Sequence, residues 1–380
     1  MLNEQLELLD SKTTRLQPRK SHSRRTGTGA NLCHDPENPI PALGCQHCPD
    51  LSVCGGLRPT TAFYDCLQFC CGSEATCDRV CRNNPDFVSR VREVGTFELN
   101  GLKRPKRVEP PSLPAIVPII YHGSGRRARF RSNWIAIPLY TMFDRNGAPK
   151  FEKRHELDAH FAIDSKAKIV LTGTAKDKPI ERWWALGASK REAVIKSSIE
   201  LGAETITTPN YSLFTDRPRW DDLHSMKRIA IVHQEIQSCG VVAALHVNGR
   251  TEHDFERWAS FLAERPEITH LAYEFTTGTR TVDRLPKHTA WLRNLASAVP
   301  HKLSIVVRGG ANTAGLLRDS FEQVTTLEAT AFMKTIKRQK AHSVGSSLTW
   351  RQSPTDPGAA LDSLLEDNYA AVRSNIGFTR

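Results

Sequence analysis

Nine of the ten cysteines, Cys33, Cys45, Cys48, Cys54, Cys66, Cys70, Cys71, Cys77 and Cys81, lie in one stretch of this 380-residue chain; only Cys239 stands apart. Their spacing points to metal ligation. Cys45-x2-Cys48 lets two thiolates bite one ion from a tight turn, and Cys66/Cys70 and Cys77/Cys81, each four apart, share a face of a helical turn. Zinc takes four thiolates or imidazoles, with His34 and His47 at hand, and a [4Fe-4S] cluster also takes four cysteines. Nine thiols fill two four-ligand sites with one left over. The start, MLNEQLELLDSKTTRLQPRKSHSRR, has acidic residues and no apolar core of the secretory kind. A cytoplasmic setting is therefore expected, where thiols stay free and disulfides are disfavoured. Structural zinc is the preferred reading and an iron-sulfur cluster the alternative; the first loop after the run at 117–122 lacks the CxxxCxxC triplet of radical chemistry, so a redox role has no obvious substrate site.

A second set of chemical groups sits where apolar runs end. The run at 205 to 212 leaves through TPNYSLFTDRP, which gathers Asn210, Tyr211, Ser212, Thr215 and Asp216 before Pro218. Glu274 ends HLAYEF, and a carboxylate half-buried there is expected to have a raised pKa unless paired, which suits general acid or base work. The bland reading is an ion pair with Arg308. His246 ends VVAALH and is a candidate acid, base or ligand, or a satisfied interior histidine. Asn210 and Asp216 are candidates for holding substrate, or for capping the next helix. In RGGANTAGLL, Arg308, Gly309, Gly310, Asn312 and Thr313 make a candidate phosphate site at a helix start, with a plain tight turn as the alternative.

These groups need a scaffold that brings them together. Eight short β-rich runs follow one another: 117–122, 134–140, 168–174, 205–212, 241–247, 269–275, 303–309 and 324–329. Amphipathic segments such as ERWWALGASKREAVIKSSIELGA, HSMKRIAIVHQEIQSCG, EHDFERWASFLAER and KHTAWLRNLASAV separate most of them, with apolar residues three and four apart. Near-continuous apolar strands alternating with helices predict a parallel sheet, and eight of them suit an α/β fold, the (β/α)8 TIM-like barrel. In that fold the carboxyl ends of the strands line one mouth, so the polar exits face a common site. The connection from His122 to Trp134 is too short for a crossover helix, which predicts an irregular start or a hairpin there. An open doubly wound sheet ranks lower, since the first turn carries no GxGxxG.

The remaining chain divides into a basic arm at 1–30, the cysteine module at 31–98, a proline-rich basic linker at 99–115, the barrel at 116–342 and a tail at 343–380 closed by the helical pattern AALDSLLEDNYAAV. No apolar run approaches the roughly 20 residues of a membrane span. A net charge of +11 makes nucleic acid a plausible partner. Arg126, Arg127, Arg129 and Arg131 interleave with Phe130 and Trp134, an arrangement that predicts phosphate contacts beside a stacking plane.

ETITTPNYSLFTDRPRW resembles a family of prokaryotic and phage-borne proteins, a domain of unknown function whose stretch reads TPDFSLYTDMP followed by a helix, a glycine and another strand. The resemblance covers about 70 residues of the barrel and implies a mobile-element setting. Asn210 stands where that family tends to carry Asp. The expected function is a metal-binding, nucleic-acid-associated protein whose barrel processes a nucleic acid or nucleotide by base or glycosidic chemistry. The alternatives are a non-catalytic nucleic-acid binder and an enzyme for a small phosphorylated substrate.

Overall fold

A computed structural model describes residues 90, 92–213, 219–275, 284–309, 311–344, 347–356 and 359–378. The chain forms two compact units. One comprises Met1–Leu102, Tyr211–Ala230 and Asn248–Phe261; the other Lys103–Asn210, Ile231–Val247 and Leu262–Arg380. The second unit is a (β/α)8 barrel. Its parallel strands are β1 (Ile116–Pro118), β2 (Trp134–Pro138), β3 (Lys168–Thr172), β4 (Ala203–Thr207), β5 (Val242–His246), β6 (His270–Glu274), β7 (Ser304–Arg308) and β8 (Val324–Glu328), hydrogen-bonded in the order β1-β8-β7-β6-β5-β4-β3-β2. Ile119 bridges Ala136 in parallel, and the Ile120 amide donates to the Ala136 carbonyl at 2.9 Å. Those contacts join β1 to β2 and close the ring. They also overturn the expected hairpin: β1 and β2 run the same way, joined by a connection without a helix.

The helices are α1 (Arg154–Phe161), α2 (Asp177–Ala185), α3 (Gly187–Glu200), α4 (Arg219–Ser238), α5 (Glu252–Ala263), α6 (Arg284–Ala298), α7 (Ala311–Leu317), α8 (Thr330–Ile336) and α9 (Asp362–Phe378). The pattern at 181–203 reads as one helix, but the backbone breaks it between α2 and α3. Among the described residues no helix is long and apolar enough to cross a membrane.

Period-two alternation sorts each strand into an inner and an outer face. Val117, Ile119, Ala136, Val170, Ala244, Ala272, Val306 and Leu327 form the cluster on the axis, with Leu113 and Trp134. Ile135, Ile137, Ile169, Leu171, Ile206 and Ala243 face outward against Trp183, Val194, Ile195, Val232 and Ile236. Both faces are buried, so the runs are apolar throughout rather than alternating. Across the outer layer, Arg191 makes a two-point ion pair with Glu235 at 2.7 and 2.6 Å, with Arg191 4% and Glu235 16% exposed.

Residues 103–115 lie along the barrel. Arg104 donates to both carboxylate oxygens of Glu267, at 3.2 and 2.8 Å, and Gln237 donates to the Lys106 carbonyl at 3.1 Å. The tail adds a hairpin that the polar sequence did not suggest, β9 (Gln339–Val344) against β10 (Ser347–Gln352). Buried Asn368 of α9 donates to the Thr335 hydroxyl and the Gln339 carbonyl and accepts from the Ala341 amide, tying α9 to α8 and β9.

In the first unit, His224 pairs with Glu93 at 2.7 Å, and burial together with the nearby Arg228 charge lowers its pKa to about 4. The guanidinium of Arg228 lies over the Tyr211 ring at 4.0 Å, and Asn248 donates to the Tyr211 carbonyl at 2.7 Å.

Candidate active site at the carboxyl ends of the strands

Two residues beyond the axial cluster, the same inner face continues to Tyr121, Thr172, Thr207, His246, Glu274 and Arg308. Strand pairing fixes this assignment: His246 is the register partner of axial Ala272, and Glu274 the partner of Arg308. Three of the four sequence candidates for this mouth that the structure describes, Glu274, His246 and Arg308, thus start from one face on three consecutive strands. Asn210 follows β4 on the adjoining strand.

Arg308 is the best-defined group. Its Nη1 donates to the Thr174 carbonyl at 2.8 Å and its Nη2 to the Tyr121 hydroxyl at 2.8 Å, while Nε is buried with no acceptor among the described residues. The guanidinium therefore reaches from β7 past β8 to the end of β1 and to the exit of β3. Its terminal nitrogens each donate to one of these two oxygens, and no ion pair between Arg308 and Glu274 is found among the described residues. Burial raises the Tyr121 pKa, with the Arg308 charge opposing and Glu328 adding to the rise. Tyr121 is accordingly a neutral phenol.

The exit of β3 is clamped from three sides. Tyr140 donates to the Gly173 carbonyl at 2.6 Å, the Gly173 amide donates to Thr207 Oγ1 at 2.8 Å, and the Ala175 amide donates to Asn210 Oδ1 at 3.0 Å. A Cβ on Gly173 would stand 2.4 Å from the Thr207 carbonyl oxygen, so only glycine permits this approach of β3 to β4. Asn210 thus holds a loop through one side-chain atom and keeps its amide protons. An Asp would accept the same bond.

His246 is fully packed. Its amide donates to Thr208 Oγ1 at 2.8 Å, and its ring lies parallel to Tyr273, centroids 6.1 Å apart, leaning across the β5–β6 edge. Neither ring nitrogen has a partner among the described residues, and burial lowers the pKa to about 3, so the imidazole is neutral. Tyr273 itself bonds His288 on the outer side.

Other residues at and just after the strand ends are placed elsewhere. Glu328 faces outward and accepts from the amides of Thr330 and Ala331 as a cap on α8, burial raising its pKa. Gly309 turns the chain out of β7 with φ +75°. Asn312 and Thr313 lie in the backbone of α7, a helix of only seven residues. Asp216 and Gly310 lie outside the described residues, as do the nine clustered cysteines. Among the described residues there is no group of three or more His, Cys, Asp or Glu side chains able to hold a metal.

The expected arginine and aromatic surface is not built as the sequence suggested. Phe130 packs against Tyr369 with centroids 5.5 Å apart, and Trp134 joins the axial cluster. Neither offers a stacking plane, because both side chains fall on buried faces of the barrel. Arg126 donates to the carbonyls of His122, Phe161 and Ala162. Arg127, Arg129 and Arg131 are exposed. Phe130 bridges Ile163, ahead of the first residue of β3, so Arg129 and Arg131 flank the amino end of the strands, opposite the mouth. The link between Tyr121 and Arg308 escaped the linear reading; stepping outward by twos from the axial positions would have found it.

No protein-family model matches the chain, and no curated protein matches it. Among solved structures, tryptophan synthase subunit alpha from Legionella pneumophila is similar at 12% identity, over 76% of this chain and 98% of that one, with a TM-score of 0.34. Dihydrodipicolinate synthase from Aquifex aeolicus is similar at 14% identity, over 64% of this chain and 68% of that one, with a TM-score of 0.30.

Proposed function

We propose that the barrel is an enzyme acting on a phosphorylated substrate of nucleotide size, with Glu274 as the acid or base and Arg308 as the anion partner. The observation that carries this reading is the pairing of Glu274 with Arg308 in register at the strand ends, with the guanidinium held by Thr174 and Tyr121 rather than by the carboxylate. A buried carboxylate at a strand end, in register with a cation, can move a proton at a bound substrate. The inferred chemistry is of the base or glycosidic kind. Glu274→Gln is expected to lower turnover of a nucleotide substrate by about 10²- to 10⁴-fold while nucleotide binding persists; undiminished turnover in this variant would remove Glu274 from the reaction.

A nucleic-acid substrate is the second reading, favoured by the net charge of +11 and by exposed Arg127, Arg129 and Arg131. The position of Arg129 and Arg131 away from the mouth favours the smaller substrate. The mobile-element setting remains a proposal resting on the TPNYSLFTDRP resemblance. For the cysteine stretch we propose zinc, with an iron-sulfur cluster as the alternative; metal analysis of protein purified without oxygen separates them, and metal-free protein with unchanged folding would refute both.

A further inference from the structure

The Tyr121 hydroxyl accepts a hydrogen bond from Arg308 Nη2 at 2.8 Å, and its own proton has no acceptor among the described residues. Arg308 Nε carries a second proton without a partner, buried in the site. Nε lies on the same edge of the planar guanidinium as Nη2, the edge that Tyr121 already engages, and that edge can donate to two oxygens side by side. The phenol therefore extends the fork by one position: Nη2 holds the tyrosine oxygen, while the phenol proton and the Nε proton remain for a ligand. Thr174 occupies Nη1 on the other side and fixes the plane. Desolvation keeps the phenol protonated, so it can donate.

We infer that Tyr121 O–H and Arg308 Nε–H together form a two-point seat for one oxyanion, the phosphate or carboxylate of the substrate. This deepens the proposal above and rests on the mouth being the substrate site. Two acceptor atoms on one anionic group satisfy both donors at once, and the guanidinium charge compensates the anion in a place withdrawn from water. Tyr121 acts here as a binding residue; no covalent step is assigned to it.

The experiment measures binding of inorganic phosphate and, separately, of acetate to the full chain by calorimetry. It also follows the Arg308 Nε–H resonance by nitrogen-15 NMR. Phosphate binding by the wild type with a shift of that resonance is expected, and Tyr121→Phe is expected to weaken it about tenfold or more, as loss of one hydrogen bond to a charged group does. Arg308→Lys, which keeps the charge but lacks Nε–H, is expected to weaken it further. Should Tyr121→Phe not fold, the lysine variant and the wild-type resonance decide. The arm with the tighter anion assigns phosphate or carboxylate. Equal affinity in Tyr121→Phe and the wild type, or neither anion moving the resonance, overturns the seat. Glu274→Gln is expected to bind phosphate no more weakly than the wild type, since it removes a negative charge beside the seat and neither of its donors. Intact phosphate binding alongside undiminished turnover in that variant would sink the acid–base role and spare the seat.

Discussion

His246 offers a test of how the mouth is built. An imidazole with two buried unpartnered nitrogens is an unfavourable occupant of a packed site, each orphaned polar atom costing roughly 1–3 kcal/mol. Its pKa lies at about 3 in the folded chain because burial penalises the charged ring, against about 6.5 in an unfolded one. A pKa depressed by folding means that, below pH 6.5, the unfolded chain takes up a proton that the folded chain refuses. The stability is complete above pH 6.5 and is lost as pH falls from there toward 3. At about 1.4 kcal/mol per pH unit, the loss at pH 5 is about 2 kcal/mol from this residue alone. His233 and His270, lowered by burial to about 4, add losses of the same sign. Replacing His246 by Leu, of similar reach and without nitrogens, should raise the urea-unfolding free energy at pH 7.5 and make the fall between pH 7.5 and 5 shallower by about 2 kcal/mol. Circular dichroism at the two pH values measures both. Identical acid slopes for wild type and variant would show that His246 is not buried neutral, and the placement of β5 in the ring would fail with it.

Glu235→Ala leaves the Arg191 guanidinium buried without its two-point partner, and a loss of about 3–5 kcal/mol in unfolding free energy is expected; a loss below about 0.5 kcal/mol, the usual scale of surface changes, would mean that the pair is solvated. Replacing Arg127, Arg129 and Arg131 by Ala should reduce the salt-dependence slope of nucleic-acid binding by up to about 0.9 per phosphate contact removed. An unchanged slope in filter binding across salt concentrations takes these arginines out of any interface. Arg126 is left out of the set because its guanidinium holds carbonyl groups of the barrel.

Much of the barrel was legible along the chain. Runs such as WIAIP, HLAYE and SIVVR are apolar on both faces because one face meets the axis and the other a helix, and that pattern predicts parallel strands. Strand exits carrying Glu274, His246 and Arg308 were legible for the same reason, since a polar group ending such a run has nowhere apolar to go. The hairpin of β9 and β10 was not, because its exposed strands carry no apolar alternation. Nor was the burial of Phe130 and Trp134, whose neighbours in sequence are arginines while their neighbours in space are Tyr369 and the axial cluster.

By itself, the amino-acid order determined the number of barrel strands, their direction and which residues stand at their ends, because those depend on local periodicity. Only the closed ring decided which of those end residues meet. Arg308 lies 187 positions from Tyr121 and 134 from Thr174, yet it bonds both. Asn210 turns out to hold the β3 exit, and Glu328 caps a helix instead of facing the mouth. Curvature and register set those partnerships, and both are properties of all eight strands pairing at once.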